Sequence, residues 1–441
     1  MEQNSNVSIW INVNFVKFFT ANALSNLGNW FDFVAVLILF RYVWQADPML
    51  IALIPVMYAI PSIVLGQFAG VFADKTDKLK LLIYSEWIRA ALTLLIVFTT
   101  SPWLALPILL LRNTVGSISL PAQQGLMRRI VSDDHIMKAV TINGSLFQLV
   151  KVVGPLIGGS VAGIFSPDVS IVINAVSYVL SGIILTRVHL HYEEADNEEE
   201  HNLQDDIGVF TMWKEGWGIV LKSRILLASI VFGIVSTLTI QMIDAQIVTL
   251  FSEVFPNQAE LTGWAISSIG VGSFLVVLLL NRLEGINRYG WFFGTGSLLV
   301  GIMTAGFGYL ADYRFISLAI GFALIGGIGN GITFTAVNYL IQTEPPKEAI
   351  GRVSGIIDST LSILFIAGPL LGGFLISLVG VLSAFKVIGI CLSLIGFTGI
   401  ILQRFIWRHK NRSNLKTNSN VRGKLYCNQF FGGFPHNTLN I

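Results

Sequence analysis

Ionisable side chains inside apolar stretches are the residues best placed to do chemistry in this chain. Asp32, Arg112, Lys151, Asp244 and Asp358 each interrupt a long apolar run. A charge at the centre of a bilayer costs about 2.5–3.5 kcal/mol on insertion scales, so such groups mark ion or substrate pathways by default. Asn22, Ser25, Asn29 and Asp32 recur at helical spacing and form one polar stripe, and Thr237, Gln241 and Asp244 form a second. The two aspartates lie 212 residues apart. Both stripes are expected to face a central cavity, where Asp32 and Asp244 could take a proton or a cationic substrate. Hydrogen bonding between helices, without transport chemistry, is the alternative. Arg112 could favour the ionised form of a nearby carboxylate, or serve as a structural partner to a carbonyl or carboxylate. Lys151 and Asp358 suit either an interhelical salt bridge or a functional role. Arg89 reads as shallower and within reach of the interface.

The elements that must hold these groups are membrane spans. The 441 residues are 53% hydrophobic and 12% charged, with mean hydropathy +0.69. A soluble domain carries about 25% charged residues, so an ordinary soluble protein is excluded. A span needs about 20 apolar residues. Twelve such runs are expected, at 15–40, 49–73, 80–100, 103–127, 138–165, 168–189, 224–251, 260–283, 288–310, 315–342, 351–379 and 381–405. They divide six and six, giving an N-terminal bundle over 1–189 and a C-terminal bundle over 223–405. Between them, 190–222 carries an acidic run from Glu193 to Asp206 and then Trp213 and Trp217, which suggests a solvated linker ending in a helix along the membrane surface. Lys75, Lys78, Arg128, Arg129, Lys138, Arg187, Lys222, Arg288, Lys347 and the basic tail 406–441 fall on one side, with little beyond Arg41, Arg314 and Lys386 opposite. By the positive-inside rule both termini are cytoplasmic.

The halves share a phrase. Gly154 to Gly159 reads GPLIGG and Gly368 to Gly373 reads GPLLGG, 214 residues apart, and 126–159 aligns with 340–373 without gaps. Glycine and proline are costly in a helix interior. Finding Gly154, Pro155, Gly158 and Gly159 matched by Gly368, Pro369, Gly372 and Gly373 indicates two copies of one unit in parallel orientation. Small residues there allow close helix approach and Pro supplies a bend. Lys151, one turn earlier, has Phe365 as its repeat equivalent.

The loop after the second span, Gly70-Val71-Phe72-Ala73-Asp74-Lys75-Thr76-Asp77-Lys78, resembles motif A of the major facilitator superfamily, with Asp77 in place of the later Gly. Arg112 and Gly116 resemble the core of its motif B, with Val115 where a Gln is usual. The chain looks most like the drug:proton antiporter-3 branch, which includes macrolide and enterobactin exporters. Ser25, Gly28-Asn29-Trp30, Pro61 and Pro121-Ala122 add to that likeness. The long antiporter motif of the fifth span is only partly kept, with Thr141 and Val150 at its glycine positions. The resemblance, over about 15–405, implies an all-α membrane protein with twelve transmembrane helices in two parallel six-helix bundles. It also implies that Gly70, Asp74, Lys75 and Lys78 gate the cytoplasmic side, that Arg112 takes part in proton transfer, and that GPxxGG seals the site against leak.

The expected activity is proton-coupled efflux of amphipathic small molecules (drugs, macrolide-like compounds or siderophores) by alternating access. An importer or a lysophospholipid flippase of the same fold is the alternative, and a non-transporting receptor a weaker one. No GxxxxGK[ST], HExxH or GxSxG occurs, so no enzyme is expected. Expected partners are a small-molecule substrate, a proton and the lipid bilayer, with no nucleic acid, cofactor or metal, in a monomer of the bacterial plasma membrane. Cys391 and Cys427 are too few and too differently placed for a disulfide framework. No cleavable signal is evident in the polar start of the chain.

Overall fold

A computed structural model describes residues 8–189, 217–280, 288–346 and 349–407. The acidic run of the linker and the basic tail beyond 407 lie outside the described residues. Twelve long helices follow in order: α1 Val13–Ile38, α2 Pro48–Asp74, α3 Lys78–Val97, α4 Pro102–Ile130, α5 Asp133–Ile164, α6 Pro167–Thr186, α7 Arg224–Asp244, α8 Glu260–Leu280, α9 Tyr289–Tyr313, α10 Ile316–Thr343, α11 Ile350–Val379 and α12 Val381–Ile401. Each expected span has its helix. Eleven are apolar and long enough to cross a membrane by length and composition alone. The exception is α3, which carries Lys78, Lys80, Glu86 and Arg89 in twenty residues.

Local chemistry sets the ends. Asp77 caps α3 by accepting from the backbone N–H groups of Leu79 and Lys80, at 3.0 and 3.1 Å. Its carboxylate therefore does a job that a glycine at this position of the motif could not. Pro167 occupies the first turn of α6 behind the Ser166 cap. Beyond Ile38 α1 continues into a π-helical turn, Leu39–Val43, and this carries Arg41 towards the second half. Gly380, at φ 81°, makes the turn between α11 and α12.

The halves repeat most of their pairings. In the first, α1 packs on α5, α2 on α4, and α3 on α4 and α6; in the second, α7 packs on α11, α8 on α10, and α9 on α10 and α12. The start of α1 and the end of α12 lie at one end of the bundle, here called the terminal end, and the other is the far end. At the terminal end each half has its own apolar core. One is built from Phe15, Phe18, Leu82, Leu126 and Ala139, the other from Leu226, Tyr289, Phe293, Leu340 and Trp407. At the far end the second half has a further core around Phe251, Phe307 and Phe385, and another core crosses both halves, joining Val34–Phe40, Ile51 and Ile54 to Ala245 and Val248. The end of the linker belongs to the second half: residues 217–222 are helical and Val220 is buried against Val353 and Ile357.

The halves meet along two seams, α5 against α8 and α2 against α11. The doubled phrase builds both. A methyl added at Gly154 or Gly158 would strike Trp30 or Phe31 of α1, and one at Gly368 or Gly372 would strike Gln241 or Met242 of α7. The last glycine of each phrase faces outward instead. A methyl on Gly159 would lie 2.5 Å from the Gly263 Cα of α8, and one on Gly373 would lie 2.8 Å from the Ala52 Cβ of α2. Each phrase thus seats its helix on the first helix of its own half and on the second helix of the other. Pro155 removes a backbone donor and crowds the carbonyl one turn back. Nearby, the Ser267 hydroxyl of α8 donates to the Val152 carbonyl at 2.6 Å, across the seam.

Candidate functional site

Four charged side chains come together inside the first half. Arg112 of α4 donates from Nη1 to Asp32 Oδ2 of α1 at 2.6 Å, and from Nη2 to the Tyr58 hydroxyl of α2, also at 2.6 Å. Tyr58 in turn donates to the same Asp32 oxygen at 3.2 Å, and Thr93 of α3 lies 3.4 Å from Arg112 Nη1. Asp32 is 0% exposed and Arg112 2%. Asp32 Oδ1 is buried with no hydrogen-bond partner.

A second group adjoins the first. Glu86 and Arg89 both come from α3, one turn apart. Ser25 of α1 donates to Glu86 Oε2 at 2.5 Å, and Ser181 of α6 also hydrogen-bonds this carboxylate. Arg89 Nη1 lies 3.5 Å from Glu86 Oε1, while its Nη2 donates to Asn29 Oδ1 at 2.9 Å and to the Tyr178 hydroxyl at 2.6 Å. The guanidinium sits 4.2 Å from the centre of the Tyr178 ring. Tyr178, wholly buried on α6, also hydrogen-bonds Asn29 and lies within electrostatic reach of Arg112 and Asp32. The small face of α4 makes room: a methyl on Gly116 would lie 3.7 Å from Arg89 Nε. The two groups form one cluster of two carboxylates and two guanidiniums, neutral in sum.

Several expectations change here. Asp32 does not sit on a cavity wall, because its carboxylate points into its own bundle between α2 and α4. Nor are Asp32 and Asp244 equivalent. Trp30 and Phe31 face Gly154 and Gly158 as Gln241 and Met242 face Gly368 and Gly372, a spacing of 211 residues between the first helices. The counterpart of Asp32 is therefore Ile243, buried in the second half's core. Arg89 is not near the interface but is held among α1, α3, α4 and α6. Glu86, Tyr58 and Tyr178 were not anticipated. A signal existed for Glu86, since an acidic and a basic residue three apart within a span must face the same neighbour.

The remaining residues lie elsewhere. Asp244 is half-buried on α7, and Lys151 of α5 is exposed, within electrostatic reach of it across the halves. Gln241 packs on Gly368, and Asp358 is exposed on α11. In the motif A loop, Lys78 pairs with Asp74 at 3.5 Å and lies against Gly125 of α4, while Lys75 is exposed. An added methyl at Gly70 meets nothing within 4 Å, and the same holds at Gly66, Gly144, Gly351 and Gly355.

Polar contacts between the halves gather towards the far end. Arg41 donates to Ser252 at 2.7 Å and pairs with Glu253 at 3.6 Å. Gln246 donates to the Pro48 carbonyl at 2.8 Å, and Trp264 to Ser160 at 2.8 Å. Two six-helix units are thus joined at one end and present unoccupied glycine faces at the other. The Major Facilitator Superfamily profile matches residues 18–368 and 258–431.

The chain belongs to the major facilitator superfamily.

Among its relatives, the uncharacterised MFS-type transporter YfiS of Bacillus subtilis strain 168 is 29% identical over 402 residues, covering 91% of this chain and 95% of that protein. A Na(+), Li(+), K(+)/H(+) antiporter of Planococcus maritimus is 25% identical over 232 residues, 50% of this chain and 54% of that protein. The fold is similar to the crystal structure of a bacterial homologue of the human lysosomal transporter Spinster, in an inward-facing and unoccupied conformation. There the TM-score is 0.66 at 10% identity, covering 89% of this chain and 96% of that one. This superfamily member is an all-α, multi-pass membrane transporter of a small-molecule substrate.

Proposed function

We propose that this transporter is a proton-coupled exporter of amphipathic small molecules, of the drug:proton antiporter-3 kind, with both termini in the cytoplasm. The observation that carries the reading is the buried four-charge cluster of the first half. Exchanging a buried ion pair for packed apolar residues is often neutral or stabilising, so four charges are a poor way to hold a bundle together. They are a good way to let one proton change how α1, α3, α4 and α6 sit on one another. The second half has serines at the matching depth, with Ser236 and Ser297 2.6 Å apart and buried. Proton chemistry then belongs to the first half, and the two halves rock about the far-end seams. On this reading the contacts gathered at the far end close the outer side, and substrate is taken from the cytoplasm at the terminal end. The antiporter relative supports the choice of coupling ion. Asp244, Lys151, Asp358, Gln241 and the motif A residues Gly70, Asp74, Lys75 and Lys78 are assigned to the substrate path and the gate.

Inverted vesicles carrying the protein test this with ethidium and a macrolide as probes. Uptake should appear when the lumen is acid and collapse when an ionophore removes the gradient. Uptake of every probe that is indifferent to the gradient would end the coupling claim.

A further inference from the structure

Asp32 and Glu86 share one cluster, but their cations are provided for differently. We propose that Glu86 is the carboxyl group that binds and releases the proton, with Asp32 a fixed negative charge. The inference rests on the proton-coupled reading and assigns its site.

The argument turns on what each arginine keeps when its carboxylate is neutralised. Arg112 has Asp32 at 2.6 Å, with Tyr58 at 2.6 Å and Thr93 at 3.4 Å as its other partners. The Tyr58 hydroxyl already donates to Asp32. Protonating Asp32 would leave a buried guanidinium with two hydroxyls, one of them distant. A buried charge stripped of its partner is strongly disfavoured. Arg89 is arranged in the opposite way. Its contact with Glu86 is long, 3.5 Å, while its short hydrogen bonds go to the neutral oxygens of Asn29 and Tyr178 and its face lies on the Tyr178 ring. Arg89 keeps all of these when Glu86 is protonated.

The oxygens of Glu86 are also suited to both states. Ser25 and Ser181 are hydroxyls, which donate to a carboxylate and, after rotation, accept from a carboxylic acid. No backbone rearrangement is needed for the exchange. The groups facing Glu86 are Arg89 on its own helix, Ser25 on α1, and Tyr178 and Ser181 on α6; Asn29 and Asp32 of α1 and Arg112 of α4 join them through Arg89 and Tyr178. Proton binding leaves the cluster with a net positive charge. Proton loss restores the Arg89 contact and draws α3 towards α1 through Ser25.

Infrared difference spectroscopy of the whole protein in liposomes reads this without any substrate. On acidification a protonated-carboxyl carbonyl band should rise in the parent and in Asp32→Asn, shift in frequency in Glu86→Asp, and be absent in Glu86→Gln. A band that survives in Glu86→Gln, or that disappears in Asp32→Asn, overturns the assignment, as does a parent with no such band. Fluorescence-detected size exclusion and melting temperature identify a variant that has lost its fold, and Glu86→Asp then decides the matter by whether its band moves. A band that follows Glu86, together with transport indifferent to the gradient, would sink the proton-coupled reading and leave the proton site standing.

Discussion

Gly159→Ala should push the transporter away from the conformation described here. The new Cβ would sit 2.5 Å from Gly263 Cα and 2.9 Å from Gly263 N. Carbon atoms in contact prefer about 3.5–4.0 Å, so the seam between α5 and α8 must widen by about 1 Å. Both obstacles are backbone, and no side chain can turn aside to absorb the strain. Overpacking of this kind costs about 1–3 kcal/mol, and the cost falls only on arrangements with that seam closed. At a factor of ten per 1.4 kcal/mol, the closed far end loses about 5- to 150-fold in population relative to an open one. Pulsed electron resonance between spin labels at Phe165 and Phe315, in a background with Cys391→Ser and Cys427→Ser, measures the separation. A long-distance component should appear in Gly159→Ala and, for the same reason, in Gly373→Ala. Gly144→Ala, on the same helix as Gly159 with nothing within 4 Å, should match the parent. Identical distance distributions for parent and Gly159→Ala would refute the reasoning.

Other outcomes follow from the same geometry. Asp32→Asn strands the buried Arg112 and should lower stability by about 3–5 kcal/mol, read as a fall in melting temperature in detergent; an unchanged melt would mean Arg112 has another anion. Tyr58→Phe keeps the ring but leaves Asp32 and Arg112 one partner short, and should cost about 1–3 kcal/mol in the same assay. Arg41→Ala removes a pair whose side chains are 20% and 46% exposed. Such pairs contribute up to about 1 kcal/mol, so the melt should barely move while the far-end distance distribution broadens. Gly355→Ala meets open space and should stay within about 0.5 kcal/mol of the parent, whereas a large loss would show that α11 is packed there.

The spans, the duplication and the parallel halves are legible because hydropathy and repeated glycines are one-dimensional signals. The cluster is only half legible. Asp32 and Arg112 stand out against apolar neighbours, and geometry joins them. Their orientation does not follow from counting, because 3.6 residues make a turn. A spacing of 212 instead of 211 turns a side chain by about 100°, enough to send Asp32 into its bundle and Asp244 towards the other half. Glu86 hides for another reason. The span that carries it is too charged to look like an interior helix, so Arg89 reads as shallow and Glu86 does not stand out beside it. Tyr58 and Tyr178 resemble any other aromatic residue until a guanidinium is placed beside them. The roles of the GPxxGG glycines are likewise a matter of three dimensions, since four of them serve their own half and two serve the other.

The shared core at the far end has a consequence for where the carrier rests. Val248 and Ala245 of one half complete the apolar packing of Ile51 and Ile54 in the other, whereas at the terminal end each half is complete alone. Parting the far end strips apolar contacts from both units at once, and among the described residues the buried cores of the terminal end lose none of that kind. The apolar packing therefore favours the arrangement that is closed at the far end. Any motion that opens a path at that end has to be driven against the loss of this packing, whichever cargo supplies or follows the drive.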